Sequence, residues 1–420
     1  MTEAMYARVD AMPAADTPPA GARTLAWSHS LPAGVSITVH DDLSTVANDW
    51  RAFEREADGT IFQAYEWLST WQRCIGGPHK VRPAIVVGRD AAGSTLFLFP
   101  LSVRKTGFGR ELRWLGSDLC DYNGPLLAHA FSAMFDEAAA VDLWRAIEQR
   151  VQQHPGLGFD SINMTKMPAT IGAQPNPLRG LVLAANPSGA YRTALGTDWE
   201  TFYSEKRSSA TRRRDRTKRK RLADFGDVRM VNTAGDDTRT ALDTLMAQKA
   251  RAFAHMGVAN LFANPGYTDF YRALIDDPST RPLVHISRLD VGLTPAAVNL
   301  GLVWRGCYYH LLASYTDGEI MRFGPGAAHL HELMNYAIEN GCSVFDFTIG
   351  DESYKRDWCG EANTLYDYIA AVTWRGALAV GPMIVKQRVK RWIKQTPIVW
   401  NVFSHVRALI GSLARRPSVH

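Results

Sequence analysis

The stretch from residue 321 to residue 358, MRFGPGAAHLHELMNYAIENGCSVFDFTIGDESYKRDW, dictates more local structure than any other part of this 420-residue chain. Gly324-Pro325-Gly326 makes a turn that opens a helix, Gly341 stops it, and a short apolar strand over 344–347 follows. Behind the strand comes a dense polar group of Thr348, Asp351, Glu352, Tyr354 and Lys355. A glycine-bearing loop at a helix N-terminus lets amide N–H groups point at an anion. A strand ending in mixed charges and a phenol suits acid–base chemistry. The competing reading is an ordinary tight turn followed by a capped, solvated loop, and the rest of the chain has to decide between the two.

The chain is long enough for two or three domains at roughly 150 residues each. Its 46% hydrophobic and 21% charged content is that of a globular protein. Cys74, Cys120, Cys307, Cys342 and Cys359 are scattered and form no CxxC pair, so they read as buried free thiols, with no metal site expected and a reducing cytoplasm as the compartment. Residues 1–30 lack a basic-then-apolar leader and read as a flexible arm, and no uncharged apolar run reaches the ~18 residues of a membrane span. The net charge of +5 is local: residues 375–420 hold nine Lys/Arg and no acid, while the other 374 residues carry 38 basic and 42 acidic groups. A whole-protein nucleic-acid footprint is therefore not expected.

Read in order, residues 31–188 give a short strand at 35–39, helices at 43–53 and 65–74, strands at 83–89 and 95–103, an irregular polar segment at 115–127, a long helix at 131–153 and a strand at 159–165. A Pro- and Gly-containing stretch at 168–187 marks the boundary. Residues 189–375 begin with a helix over 198–224 with Asp198 as N-cap, which carries ten basic residues and one acid between 206 and 221. A strand at 228–232 and helices at 237–255 and 267–275 follow, the first of these with Leu242, Leu245, Met246 and Lys249 in register. Strands at 283–289, 296–304 and 307–315 come next, the last two joined by an Arg305-Gly306 turn. The 321–358 stretch and a final strand at 365–374 close the unit. Both halves thus run helix, helix, strands, helix, strand: two copies of one α/β unit, of which only the second has a Gly-Pro-Gly loop before its long helix.

The second half resembles the GNAT acyltransferase fold, in which a central strand leads into a coenzyme-binding loop, then a helix, then a strand that splays away. With IFQAYEWLSTW near the start, LGSDLCDYNGPLL, the Arg/Lys-rich helix at 211–222, the Gly-Pro-Gly loop and FDFTIGDESYKRDW, the ordered set over about 35–375 resembles the CelD-like (BioF2-like) acetyltransferases, relatives of the Fem-type aminoacyl transferases. One departure is that Met321 stands where the usual GNAT loop has Gln or Arg, with Arg322 one place off. The resemblance implies two tandem GNAT-like domains with mixed central sheets flanked by helices, at 31–188 (degenerate, on the acceptor side) and 189–375 (acyltransferase), followed by a helical tail at 376–420. It implies acetyl-CoA or another acyl-CoA as donor, held by Leu312, Ala313 and Ser314 of the central strand and by Arg322, Gly324, Pro325, Gly326, Ala327 and Ala328. Asp346, Asp351 and Glu352 are candidate proton acceptors, Tyr354 a candidate donor to the leaving thiolate and Lys355 a stabiliser of transferring charge. Asp121, Tyr122, Asn123 and Tyr315 are candidate acceptor contacts. A capped, salt-bridged helix start remains the alternative for the polar group, and His310 reads better as a satisfied sheet histidine than as a base.

The expected function is transfer of an acyl group from acyl-CoA to an amine or hydroxyl of a cell-envelope or exopolysaccharide precursor, by direct attack. The alternatives are a Fem-like transfer from aminoacyl-tRNA and a non-catalytic, membrane-associated partner of polysaccharide synthesis. The 206–221 block has no interleaved aromatics to stack bases, so it reads as a solvated face or a clamp for an anionic acceptor. The tail from 386 to 416 combines helical apolar spacing with Lys/Arg and suits either an anionic membrane surface or the protein's own core.

Overall fold

The computed structural model describes residue 32, residues 34–116 and residues 118–395, with the backbone alone for 386, 387 and 390–395. The expected arm at 1–30 and the tail beyond 395 lie outside the described residues. The first half contains β1 (Ser36–His40), α1 (Ala47–Glu54), α2 (Tyr65–Trp71), β2 (Arg82–Arg89), β3 (Thr95–Thr106), β4 (Gly109–Trp114), α3 (Glu137–Gln153) and β5 (Ser161–Pro168). The second contains β6 (Ala190–Ala194), α4 (Trp199–Lys206), α5 (Ser209–Ala223), β7 (Val228–Asn232), α6 (Asp236–His255), α7 (Tyr267–Asp276), β8 (Val284–Val291), β9 (Thr294–Trp304), β10 (Cys307–Tyr315), α8 (Pro325–Glu339), β11 (Val344–Ile349), α9 (Ser353–Arg356), β12 (Leu365–Ala371) and α10 (Trp374–Gln395).

The two-copy α/β architecture is present. In each half four strands pair antiparallel, a helix crosses over, and the next strand lies parallel to the last: β4 with β5 across α3, and β10 with β11 across α8. The β9–β10 hairpin turns at Arg305 (φ 50°) and Gly306 (φ 73°), the two left-handed positions that a tight right-twisting hairpin demands.

The sheets divide at 188/189 but not at the end of the second half. Strand β6, the first of the second half, pairs antiparallel with β11 of its own sheet, whereas β12, the last of the second half, pairs antiparallel with β5 of the first sheet. The sheet orders are β1-β2-β3-β4-β5-β12, extended by residues 184–185, and β6-β11-β10-β9-β8-β7. The second half therefore finishes the first sheet: the final strand, expected in the 189–375 unit, belongs to the first sheet. The expected helix over 198–224 is two helices: Arg207 leaves helical geometry, and Ser208 caps α5 by accepting from Thr211 N at 3.2 Å. The long helix expected from 131 is broken into a single turn at Phe131–Met134 and α3 from Glu137, with Asp136 as the cap of the latter. Strands β4 and β6 were not expected.

The halves share a core. Phe62, Trp67 and Leu68 from α2 and its approach pack with Leu245, Phe270, Leu300 and Tyr309 of the second half. Trp67 meets Phe270 edge-on at 4.9 Å, and Phe62 meets Tyr309 at 5.8 Å. Helix α10 returns to the first sheet and lies against β12, β4 and β5. Its closest approach is at Gly376, where a Cβ would fall 1.8 Å from the Asp160 carbonyl oxygen. Gly376→Val should therefore lower unfolding stability by about 2 kcal/mol or more, as measured by chemical denaturation.

Candidate active site

The second sheet forks. Strands β10 and β11 pair over only three positions, the last being Tyr309 with Asp346. Beyond it Thr348 (φ 59°) and Gly350 (φ 136°) turn β11 aside. On the β10 side the register to β9 slips between Leu300 and Gly301, so that one β10 residue, Leu311, stands unpaired as a bulge.

At the wide end of the fork stands the N-terminus of α8. Gly324 is its cap residue in left-handed geometry (φ 67°), Pro325 fills the first turn, and neither a side-chain cap nor an acidic residue serves that turn. A Cβ on Gly326 would lie 3.2 Å from the Tyr315 ring, and one on Gly324 would lie 4.0 Å from Lys218 Nζ. Lys218 and Arg216 on α5 form no ion pair among the described residues, and both line a groove of about 360 Å³ that runs from Gly324 to Asn335 along α8 and reaches Trp199 and Tyr203. The matching end of the first half is built otherwise. There Asp136 accepts from Ala139 N at 2.8 Å and Glu137 adds a second negative charge to the first turn of α3. A helix end already served by its own carboxylates has no place for an anion, whereas that of α8 does.

At the apex, buried Asp346 faces the first half. Its Oδ1 accepts from Tyr122 Oη at 2.6 Å and from Thr348 N at 2.7 Å. Burial pushes its pKa up to about 6, against the pull of those two hydrogen bonds and of Arg192. Asp346 and Tyr122 line a cavity of about 550 Å³ between the halves, together with Asn123, Arg192, Arg305 and Asn363.

The polar residues past the fork form a chain of charges. Lys355 is buried, donates to Ile349 O at 3.0 Å and pairs with Glu352 at 3.0 Å. Asp121 reaches across from the first half to Thr348 and the Ile349 amide; burial raises its pKa, opposed by Lys166 and Lys355. Lys249 on α6 donates to Ala313 O at 3.1 Å, and burial lowers its pKa. Tyr354 is part-exposed, sits edge-on to Phe347 at 6.2 Å, and is held protonated by burial and by Glu352. His310 is buried beside Phe345 and Phe347 with its pKa pushed down to about 3, so it stands neutral in the sheet.

Around the apex and the limbs of the fork the fold thus gathers Asp346, Tyr122, Asp121, Lys355, Glu352, Leu312 and Ala313. Other expected residues stand apart. Ser314 turns inward to Gln248 Oε1 at 2.8 Å. Arg322 is exposed, paired with Glu319 at 2.5 Å and laid on Phe323. Tyr315 lies against the α8 loop and does not line the cavity. Asn123, by contrast, does line the cavity beside Tyr122 and Asp346, with its amide donating to Thr165 O at 2.9 Å. Arg192 and Lys249 were not named as site candidates from the sequence, and Arg216 and Lys218 only as part of the basic block at 206–221. Lys249 carried a signal, a lysine in register with an apolar helix face; Arg192 carried none.

Residues 209–356 match the family model described as an acetyltransferase (GNAT) domain. A search of the curated proteins finds no match. Among solved structures, FemX is similar at 12% identity and a TM-score of 0.54, covering 80% of this chain and 97% of that one. A conserved protein of unknown function from Bacteroides thetaiotaomicron VPI-5482 is similar at 12% identity and a TM-score of 0.50, covering 80% and 99%. These likenesses show the fold. The domain match makes residues 209–356 a GNAT-type domain and the chain a transferase.

Proposed function

We propose that the protein moves an acyl group from acyl-CoA to an amine or hydroxyl of a cell-envelope or exopolysaccharide precursor on the cytoplasmic side. The diphosphate of the donor lies at the α8 N-terminus under Lys218, its pantetheine arm runs down the fork along Leu312 and Ala313, and the acceptor occupies the cavity between the halves. The observation that carries this reading is the open N-terminus of α8 at the mouth of a fork whose apex holds a buried carboxylate. Asp346, largely ionised at neutral pH, takes the proton of the attacking N–H or O–H as the new C–N or C–O bond forms and the C–S bond breaks. Tyr354, protonated throughout, returns a proton to the thiolate, and the Lys355 ammonium offsets negative charge developing near the fork. Native mass spectrometry of the intact protein tests the donor: CoA or acyl-CoA should be retained, and a folded protein that stays ligand-free in excess acetyl-CoA would refute it.

A donor carried on RNA is the second reading. Arg213, Arg214 and Lys220 are exposed on α5 and form no ion pair among the described residues. That reading requires RNA binding that weakens steeply as salt rises.

A further inference from the structure

We infer that the outer face of α10 docks on an anionic lipid surface. One face of this helix is committed to the protein: Ala379 and Val380 are buried, and Gly376 lies against the Asp160 carbonyl. The opposite face carries Trp374 (71% exposed), Leu378 (56%), Val385 (61%) and Val389 (49%), with exposed Pro382 between them. Steps of four, four, three and four residues keep all five on one side of an α-helix. An apolar stripe of this length with a tryptophan at one end is not an ordinary solvent face.

Charge identifies the occupant. Residues 375–420 carry nine Lys/Arg and no Asp/Glu, and Arg388, adjoining the stripe, is exposed. Residues 396–420 hold three arginines and no acid, so folding this segment back over the stripe would bring like charges together. A second copy of α10 would do the same. A surface that is apolar beneath and negative above satisfies both features: the stripe enters the acyl boundary while the cations meet phosphate headgroups. None of the described helices is long and apolar enough to cross a membrane, so contact through α10 is peripheral. The first sheet, against which α10 packs, would then face the lipid.

Flotation of the full chain with vesicles provides the test. Binding to phosphatidylcholine vesicles containing phosphatidylglycerol is expected, with little binding to phosphatidylcholine alone and release at high salt. Trp374→Ser combined with Leu378→Ser should weaken anionic-vesicle binding about tenfold or more, with acyl-CoA affinity and melting temperature unchanged. Equal binding by the variant, or no preference for the anionic vesicles, overturns the inference. So does loss of a concentration-dependent dimer in the variant by sedimentation, which would assign the stripe to a second copy.

Discussion

Ala327→Glu is expected to weaken acyl-CoA binding by about ten- to a hundredfold while leaving the fold as stable as before, or slightly more so. Ala327 is exposed in the first turn of α8, where no acid and no side-chain cap exists. Glutamate is a good helix former, and a negative charge in that turn interacts favourably with the helix dipole by about 0.3–1 kcal/mol. The same charge would occupy the place of the donor diphosphate, reproducing in the second half what Asp136 and Glu137 do in the first. The two effects have opposite signs, which separates this variant from one that merely unfolds. Calorimetric affinity and a denaturation curve read them independently. A variant that binds acyl-CoA like the parent would place the diphosphate elsewhere.

Asp346→Asn should lower kcat/KM by about a hundredfold or more, because the group meant to accept the acceptor's proton is gone. In the parent protein the rate should rise with pH through about 6 and then level, following ionisation of Asp346. Tyr122→Phe gives the sharper test. The Tyr122 hydroxyl donates to the ionised carboxylate and so holds its pKa down. Removing it should move the acid limb to higher pH by about one unit, with activity largely retained on the alkaline side. Stability follows its own sign. The folded protein holds this proton more tightly than the unfolded chain, whose value is near 3.8, so the contribution of Asp346 is greatest below that pH and is lost as pH rises through about 6. A salt-bridged acid would behave in the opposite way. A Tyr122→Phe profile superimposable on the parent's would remove Asp346 from the role of base.

Local chemistry was readable where it is encoded by neighbours. The Gly324-Pro325-Gly326 opening of α8 and the Arg305-Gly306 hairpin follow from residues that restrict φ over a few positions. Strand β4, Gly-Arg-Glu-Leu-Arg-Trp, was hidden because its charged residues break the apolar alternation. The break between α4 and α5 was hidden because a run of arginines and lysines has no apolar period to interrupt. The passage of β12 to the first sheet left no trace at all, since a strand's side-chain pattern does not state which edge it will join. The same limit applies to the site. Asp346 and Tyr122 were each singled out as candidates, but the hydrogen bond between them joins residues 224 positions apart and exists only because the halves share a core.

The central claim is that the uncapped end of α8 and the fork beside it hold an acyl-CoA. Calorimetric titration of acetyl-CoA into the purified full chain tests it most directly. One molecule should bind per chain, and the heat should disappear in Ala327→Glu. A monodisperse, folded protein that gives no heat with acetyl-CoA or a longer acyl-CoA would contradict the claim.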